Sequence, residues 1–146
     1  MAARLTERME AWIETGCQIA VASPDGKPTV VIAPSATVLD GGQVAFPLDD
    51  GAVELMQPAL AENPQVAFGV SGKMRAPYQF KGSGSIVTDG EADRVVDDDP
   101  AAVLTVTVTE IYCTKPGAEA GKRLDTMPFE ALQAWEAERW TDLPPA

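Results

Sequence analysis

The sequence predicts a mainly β fold with peripheral helices, in which six antiparallel strands form a small barrel with a helix at each end. Most of the strand-like segments are joined by hairpin turns, for example the Asp-Gly turn at 24–27 and the turn at 40–42. One short helix interrupts this series after the third strand. Strands do not alternate with crossover helices, so a parallel sheet is disfavoured.

Length and composition predict a single domain over residues 1–146. The chain is 45% hydrophobic and 23% charged, which is typical of a globular protein. No apolar run approaches the roughly 20 residues that span a bilayer, and the first residues lack the apolar core of a signal peptide. We therefore expect a cytoplasmic protein. Cys17 and Cys113 lack a C-x-x-C spacing and are expected to be buried thiols rather than a disulfide.

Charge and the absence of histidine exclude several functions. The net charge is −11, from 22 acidic and 11 basic side chains, which disfavours nucleic acid and anionic membranes as partners. The chain has no histidine, so Ser-His-Asp and Cys-His catalysis and histidine-based zinc sites are excluded. We interpret the acidic run 97–99 as a solvated turn, and predict no metal site. Any chemistry must come from other side chains or a cofactor.

The predicted elements follow from residue spacing and turn positions. The predicted strands are 17–22, 29–39, 44–48, 65–70, 78–87 and a last strand from 104 onward. Apolar residues at helical spacing predict a first helix over 6–15, with Thr6 as its N-cap. A helix over 52–62 is expected to be short or kinked, because Pro58 removes a backbone hydrogen bond.

The last two strands carry signs of irregular pairing. Gly82 and Gly84 indicate a bulge or a close approach to the backbone. In the final strand the alternation of apolar and polar residues changes phase at Glu110 and Ile111, which indicates a bulge or a change of face. A partly apolar stripe from Phe129 to Trp140 predicts a final helix, with its cap at 125–126.

The local motifs occur in an order that resembles the pyridoxamine 5′-phosphate oxidase-like, FMN-binding split-barrel family. The motifs that carry the resemblance are Ile19–Ala22, Asp25–Pro28, Leu60–Pro64, Tyr78–Gly82 and Val106–Tyr112. The resemblance covers about residues 4–124 and leaves a C-terminal helical extension of about 125–146 outside it. It implies a six-stranded antiparallel split β-barrel that forms a homodimer, with FMN as a small-molecule ligand at the subunit interface.

The resemblance also implies candidate cofactor-binding residues. The family lays the flavin ring against the strand that corresponds to 31–37, which implies Pro34, Ser35, Ala36 and Thr37 as ring contacts. The phosphate-binding region corresponds to the start of the second helix, which implies Asp50, Gly51 and Ala52. Lys81 is a further candidate, because it points away from the Tyr78 and Phe80 face of a strand that the family places near the flavin.

The phosphate-binding pattern of the family is not matched here. The basic and hydroxyl positions of that pattern fall on about Leu55 and Met56, and three carboxylates are nearby. One interpretation is that the phosphate pocket is altered or lost; the other is that Asp49 and Asp50 simply cap the helix. The cations that could replace the missing ones are Lys73, Arg75 and Lys81, or Lys115, Lys122 and Arg123 from a second copy.

These observations predict an FMN-binding flavoprotein, an oxidoreductase of unknown substrate in which the flavin carries the electrons. No residue is identified as a catalytic acid or base. The alternative is a non-enzymatic dimeric barrel that has lost FMN or binds a different, less anionic ligand. A third hypothesis is an enzyme that uses a deazaflavin or a haem-type ligand in the same cleft.

Overall fold

The computed structural model describes residues 2–71, 76–88 and 102–139. Within these ranges the helices are α1 (Glu7–Glu14), α2 (Asp50–Glu62) and α3 (Phe129–Arg139). The strands are β1 (Cys17–Ala22), β2 (Pro28–Ala33), β3 (Thr37–Leu39), β4 (Gln43–Leu48), β5 (Gln65–Val70), β6 (Tyr78–Thr88) and β7 (Ala102–Cys113). The acidic run 97–99, Lys73, Arg75 and Trp140 lie outside the described residues. No helix in the described ranges is long and apolar enough to cross a membrane.

All seven strands belong to one antiparallel sheet in the order β2-β1-β5-β6-β7-β4-β3. β2 and β3 follow each other in the chain but lie at opposite edges of this sheet, so the segment 34–36 joins the two edges. No ladder joins β2 to β3 among the described residues, and the sheet is therefore curled but not closed. This is the predicted antiparallel split barrel, and the fold class is confirmed.

The predicted strand 29–39 is divided into β2 and β3, which raises the strand number from six to seven. Pro34 explains the division, because it has no N–H to donate to a ladder. The second helix was predicted over 52–62 as short or kinked; α2 covers Asp50–Glu62, so it is not short, and it continues through Pro58. The side chain of Asp49 caps its first turn, and the ring of Pro58 is on the exposed side of the helix.

The predicted irregularity in the last two strands is a bulge. Lys81 pairs with Glu110, but the next residue, Gly82, pairs with Val108, so Thr109 is the extra residue. The bulge returns Ile111 to the core, where it is fully buried. Gly82 is required here, because a Cβ at this position would overlap the carbonyl oxygen of Thr107. Both sequence signals, the glycines and the phase break, are therefore confirmed.

The core contains a run of aromatic rings along the barrel interior. The Phe68 ring lies 5.1 Å from that of Phe46 and 5.0 Å from that of Phe80, measured between centroids. Tyr78 extends the run toward Trp12 of α1, with a centroid distance of 5.6 Å. Such ring pairs add to the stability that apolar burial provides. Cys17 and Cys113 are buried free thiols, as predicted.

The third helix is attached to the barrel by a buried carboxylate. Glu136 accepts hydrogen bonds from the hydroxyl of Thr6 at 2.8 Å and from that of Tyr78 at 2.6 Å. The predicted cap at 125–126 is wrong, because α3 begins only at Phe129. The carboxylate of Asp125 instead accepts from the backbone N–H of Ile111 at 2.9 Å.

Candidate functional site

Two rows of side chains cross the outer face of the sheet at the β2-β1-β5-β6 side. Their neighbours along each strand, such as Ile19, Phe68 and Phe80, are buried in the core, so these residues point outward. The first row is Ile32, Gln18, Gly69 and Gln79, and the second is Val30, Ala20, Ala67 and Lys81. We call this surface, formed by those eight residues, the outer platform.

The middle of the outer platform is flat because its residues are small. Ala20, Ala67 and Gly69 form the floor, and a shallow hollow of about 250 Å³ lies over them. At one side Val30 and Ile32 stand on the edge strand β2 with 55% and 68% of their surface exposed. A flat apolar floor with polar groups at its margin is the arrangement that binds a planar aromatic ligand.

The polar groups of the outer platform lie around this floor. Gln18 and Gln79 flank Gly69 in the first row, and each amide offers donors and an acceptor. Lys81 is the last residue of the second row, and its Nζ lies 5.0 Å from the centroid of the Tyr112 ring. Lys81 makes no salt bridge with a carboxylate of the described residues, so its ammonium group is available to a ligand.

A charged cluster adjoins Lys81 on β7. The hydroxyl of Tyr112 donates to the carboxylate of Glu110 at 2.7 Å, and this hydrogen bond raises the pKa of Tyr112. Arg123 reaches the same carboxylate at 3.5 Å and pairs more closely with Asp125, at 3.0 Å. The guanidinium of Arg123 is thus already neutralised by acidic partners, and Lys81 is the better cation for a ligand.

The predicted ring contacts lie at the split of the barrel. Pro34 and Ser35 are exposed, Ala36 is buried, and Thr37 begins β3. Gly16 lies directly beneath this segment, where a Cβ would come within 3.1 Å of the Pro34 carbonyl oxygen. The segment therefore presents its backbone and the Ser35 side chain on the surface, beside the Ile32 end of the outer platform.

The predicted phosphate contacts form the first turn of α2. The carboxylate of Asp49 accepts a hydrogen bond from the backbone N–H of Ala52 at 2.8 Å. Asp50 and Gly51 are exposed, and Ala52 is partly buried. The capping interpretation of Asp49 is thereby confirmed, and Asp50 is placed where acidic residues favour a helix start.

A single chain does not bring Lys81 together with Asp50–Ala52. Lys81 pairs with Glu110 of β7, whereas α2 begins just after Leu48, which pairs with Ala102 of the same strand. Eight residues of an extended strand separate these positions, about 26 Å along β7. Lys81 instead lies with Gln18 and Gln79 on the outer platform, away from the residues 50–52.

The residues present at the start of α2 do not fit the phosphate of FMN. Ala52 already donates its N–H to Asp49, and two further carboxylates, Asp50 and Glu54, are exposed nearby. Leu55, at one of the positions where the family pattern has a basic or hydroxyl residue, exposes 57% of its surface, and Met56 is fully buried. No Lys or Arg occurs between Lys27 and Lys73. The charged side chains in that stretch are all acidic and would repel a phosphate.

Sequence reasoning missed Gln18, Gln79 and the floor of the outer platform. The available signal was the small size of the outward residues Ala20, Ala67 and Gly69, on strands whose inward residues are large. The signal becomes informative only once β1 is known to pair with β5, because that pairing joins two strands that no hairpin connects.

Known proteins share this fold, and one shares enough sequence to show a family. The protein MJ0282 of Methanocaldococcus jannaschii, itself uncharacterized, is 32% identical over 129 residues, which cover 82% of this chain and 87% of the relative. No family model matches the chain.

The similar solved structures are more distant and show the fold. HupZ of Group A Streptococcus has 22% identity and a TM-score of 0.64, over 81% of this chain and 100% of that one. A proposed pyridoxamine 5′-phosphate oxidase of Lactobacillus delbrueckii has 18% identity and a TM-score of 0.59, over 76% and 94%. An FMN-binding protein of Syntrophomonas wolfei has 10% identity and a TM-score of 0.57, over 77% and 86%. The chain therefore belongs to one family with MJ0282, and its fold is the split barrel of the pyridoxamine 5′-phosphate oxidase-like proteins.

Proposed function

We propose that this protein is a cytoplasmic homodimer that binds a flavin between two copies and acts as an oxidoreductase through it. The observation that carries the proposal is the outer platform, with its floor of Ala20, Ala67 and Gly69 and its polar margin. The floor suits the face of a planar ring, while Gln18, Gln79 and Lys81 suit the polar atoms at its edge. The FMN-binding protein of Syntrophomonas wolfei, which shares the fold, supports a flavin.

The dimer is part of the proposal because the candidate residues lie in two separate places on one chain. Lys81 and the segment 50–52 are far apart along β7, so a ligand could touch both only if they come from different copies. Val30 and Ile32 add an exposed apolar edge beside the outer platform, and a second copy would cover it.

A bound flavin ring would supply hydride and electron transfer, and the protein would bind and orient it. Lys81 would place a positive charge at the ring edge, and the platform floor would keep water from one ring face. The substrate would come from the open side of the ring. The chain has no histidine, so a proton needed by the substrate would come from another side chain or from water.

A second candidate function is a dimeric binding protein without enzymatic activity, which takes a less anionic ligand. The observation that favours it is the start of α2, where carboxylates and the exposed Leu55 stand in place of a phosphate-binding cation. The first function requires flavin binding and the second does not, so a protein that binds no flavin could have only the second function.

The test is a titration of the purified protein with riboflavin, followed by quenching of flavin fluorescence. Ala67→Leu fills the platform floor and should weaken binding at least about tenfold, since a ring cannot lie flat over the larger side chain. Ala131→Leu, an equal change at an exposed position of α3, is the control and should bind as the wild type does. Absence of binding to the wild type, or equal binding by Ala67→Leu, would contradict the proposal.

A further inference from the structure

We infer that the flavin site recognises the ring alone, so that riboflavin binds as tightly as FMN. The inference rests on the proposed function and specifies its ligand as the uncharged flavin rather than its phosphate ester. It follows from the distribution of charge around the barrel split, and from the position of the one available cation on the outer platform.

The charged residues in the stretch of chain around α2 are all acidic. Residues 28–72, which include β2, β3, β4, α2 and β5, contain no Lys or Arg. The acidic residues of this stretch are Asp40, Asp49, Asp50, Glu54 and Glu62. A phosphate dianion near the helix start would therefore be repelled, and this repulsion opposes the weak attraction of a helix N-terminus.

At the start of α2, the backbone N–H of Ala52 is not free to bind a phosphate. The N–H of Ala52 donates to the Asp49 carboxylate at 2.8 Å, so a phosphate would have to displace an intramolecular anion. Leu55, one turn further, is exposed and apolar. Its side chain can contact a hydrocarbon chain but cannot neutralise a charge.

Lys81 is the cation that a ligand on the outer platform would meet, and its position assigns it to the ring. It shares a row with Ala67 and Ala20 of the floor, because Lys81 pairs with Ala67 and Ala67 pairs with Ala20. Its Nζ is held near the Tyr112 ring. A cation beside the platform floor contacts the ring, which riboflavin and FMN share. It therefore cannot favour the binding of one flavin over the other.

The experiment compares the dissociation constants of riboflavin and FMN for the full-length protein at one ionic strength. The inference predicts constants within about threefold of each other, with any preference toward riboflavin. FMN binding more than about tenfold tighter would overturn the inference but leave the proposed function standing, because a phosphate grip is worth at least that much. If neither flavin binds, both the inference and the proposed function fail.

Two variants make the comparison specific. Leu55→Arg introduces the missing cation and should tighten FMN binding about tenfold, while riboflavin binding stays within about twofold of the wild type. Ala61→Arg adds the same charge at an exposed position near the other end of α2 and should change neither constant. Equal effects of the two arginines on FMN would contradict the assignment of the phosphate-facing position.

Lys81→Met tests where the platform cation acts. If Lys81 contacts the ring, the variant weakens riboflavin and FMN binding by the same factor, and their ratio is unchanged. A loss confined to FMN would mean that Lys81 grips the phosphate, and would overturn the inference. Lys27→Met removes an exposed lysine in the turn between β1 and β2 and serves as the matched control.

Discussion

Glu136 is a carboxylate that the fold keeps almost entirely out of water, with 2% of its surface exposed. Its oxygen accepts from Thr6, which also caps α1, and from Tyr78 at the start of β6. Burial raises the pKa of this carboxyl above the ordinary glutamate value. One side chain of α3 thus connects the first helix and the barrel, and its protonation is coupled to folding.

Glu136 predicts a pH dependence of stability with a definite sign. Because its pKa is higher in the folded chain than in the unfolded chain, folding takes up protons between the two values. The free energy of unfolding of the wild type therefore decreases as pH rises from about 4 through the folded pKa of Glu136. Glu136→Gln keeps an acceptor for both hydroxyls but does not titrate. Urea unfolding at several pH values should show the wild-type stability falling relative to the variant as pH rises; a constant difference would contradict the account.

Gly82 is the residue on which the bulge between β6 and β7 depends. Gly82→Ala places a Cβ against the Thr107 carbonyl oxygen, and should cost more than about 3 kcal/mol of unfolding free energy. The control is Gly51→Ala, because a Cβ there would lie 3.5 Å from the nearest Asp49 oxygen, which is ordinary contact. Thermal unfolding measures both. Equal melting temperatures for the two variants would show that the backbone adjusts at Gly82.

At the scale of the elements, α2 shows that an acidic side chain stabilises the start of a helix and not its end. Asp49 caps the first turn through its hydrogen bond to Ala52, so Asp49→Ala should lower the unfolding free energy by about 1 kcal/mol. Glu62 is exposed at the last turn, where a negative charge opposes the helix dipole. Glu62→Ala should therefore be neutral or slightly stabilising. Chemical denaturation measures the unfolding free energy of both variants. An equal decrease for both would contradict the capping role of Asp49.

The elements themselves could be predicted from the sequence, but their pairing could be predicted only in part. Asp-Gly and the glycines at 41–42 identify hairpins, and the phase break at Glu110 identifies the bulge, because each signal is local. The pairing of β1 with β5 is not local, and together with the pairing of β5 with β6 it places Gln18, Gly69 and Gln79 in one row. The outer platform therefore could not be predicted, although the strands that form it could.

The candidate site, too, could be predicted from the sequence only in part. The local pattern at 49–56 already showed that the phosphate-binding cation is missing, and the structure adds that Asp49 occupies the Ala52 donor. The distance between Lys81 and the start of α2 depends on the registers of β4, β6 and β7, which no local pattern encodes. Sequence reasoning therefore found residues of both halves, and could not tell how far apart the two halves lie on one chain.

At the scale of the whole molecule, the net charge of −11 opposes the association of two copies. Salt screens this repulsion, so the proposed dimer should become tighter when ionic strength rises from about 0.02 M to about 0.3 M. Light scattering at several protein concentrations measures the dissociation constant. Ile32→Ser removes the most exposed large apolar side chain of β2 and should weaken the dimer at both salt concentrations. Weaker association at high salt would indicate an interface based on ion pairs instead of Val30 and Ile32.

If each chain of a dimer binds one flavin on its outer platform, with the second copy beside it, flavin binding should depend on dimerisation. The most direct measurement is riboflavin fluorescence quenching at protein concentrations above and below the dimer dissociation constant, with the oligomeric state recorded by light scattering on the same samples. Quenching is expected in the dimer, with one flavin per chain, and little quenching is expected in the monomer. Equal quenching in monomer and dimer, or no quenching in either, would contradict it.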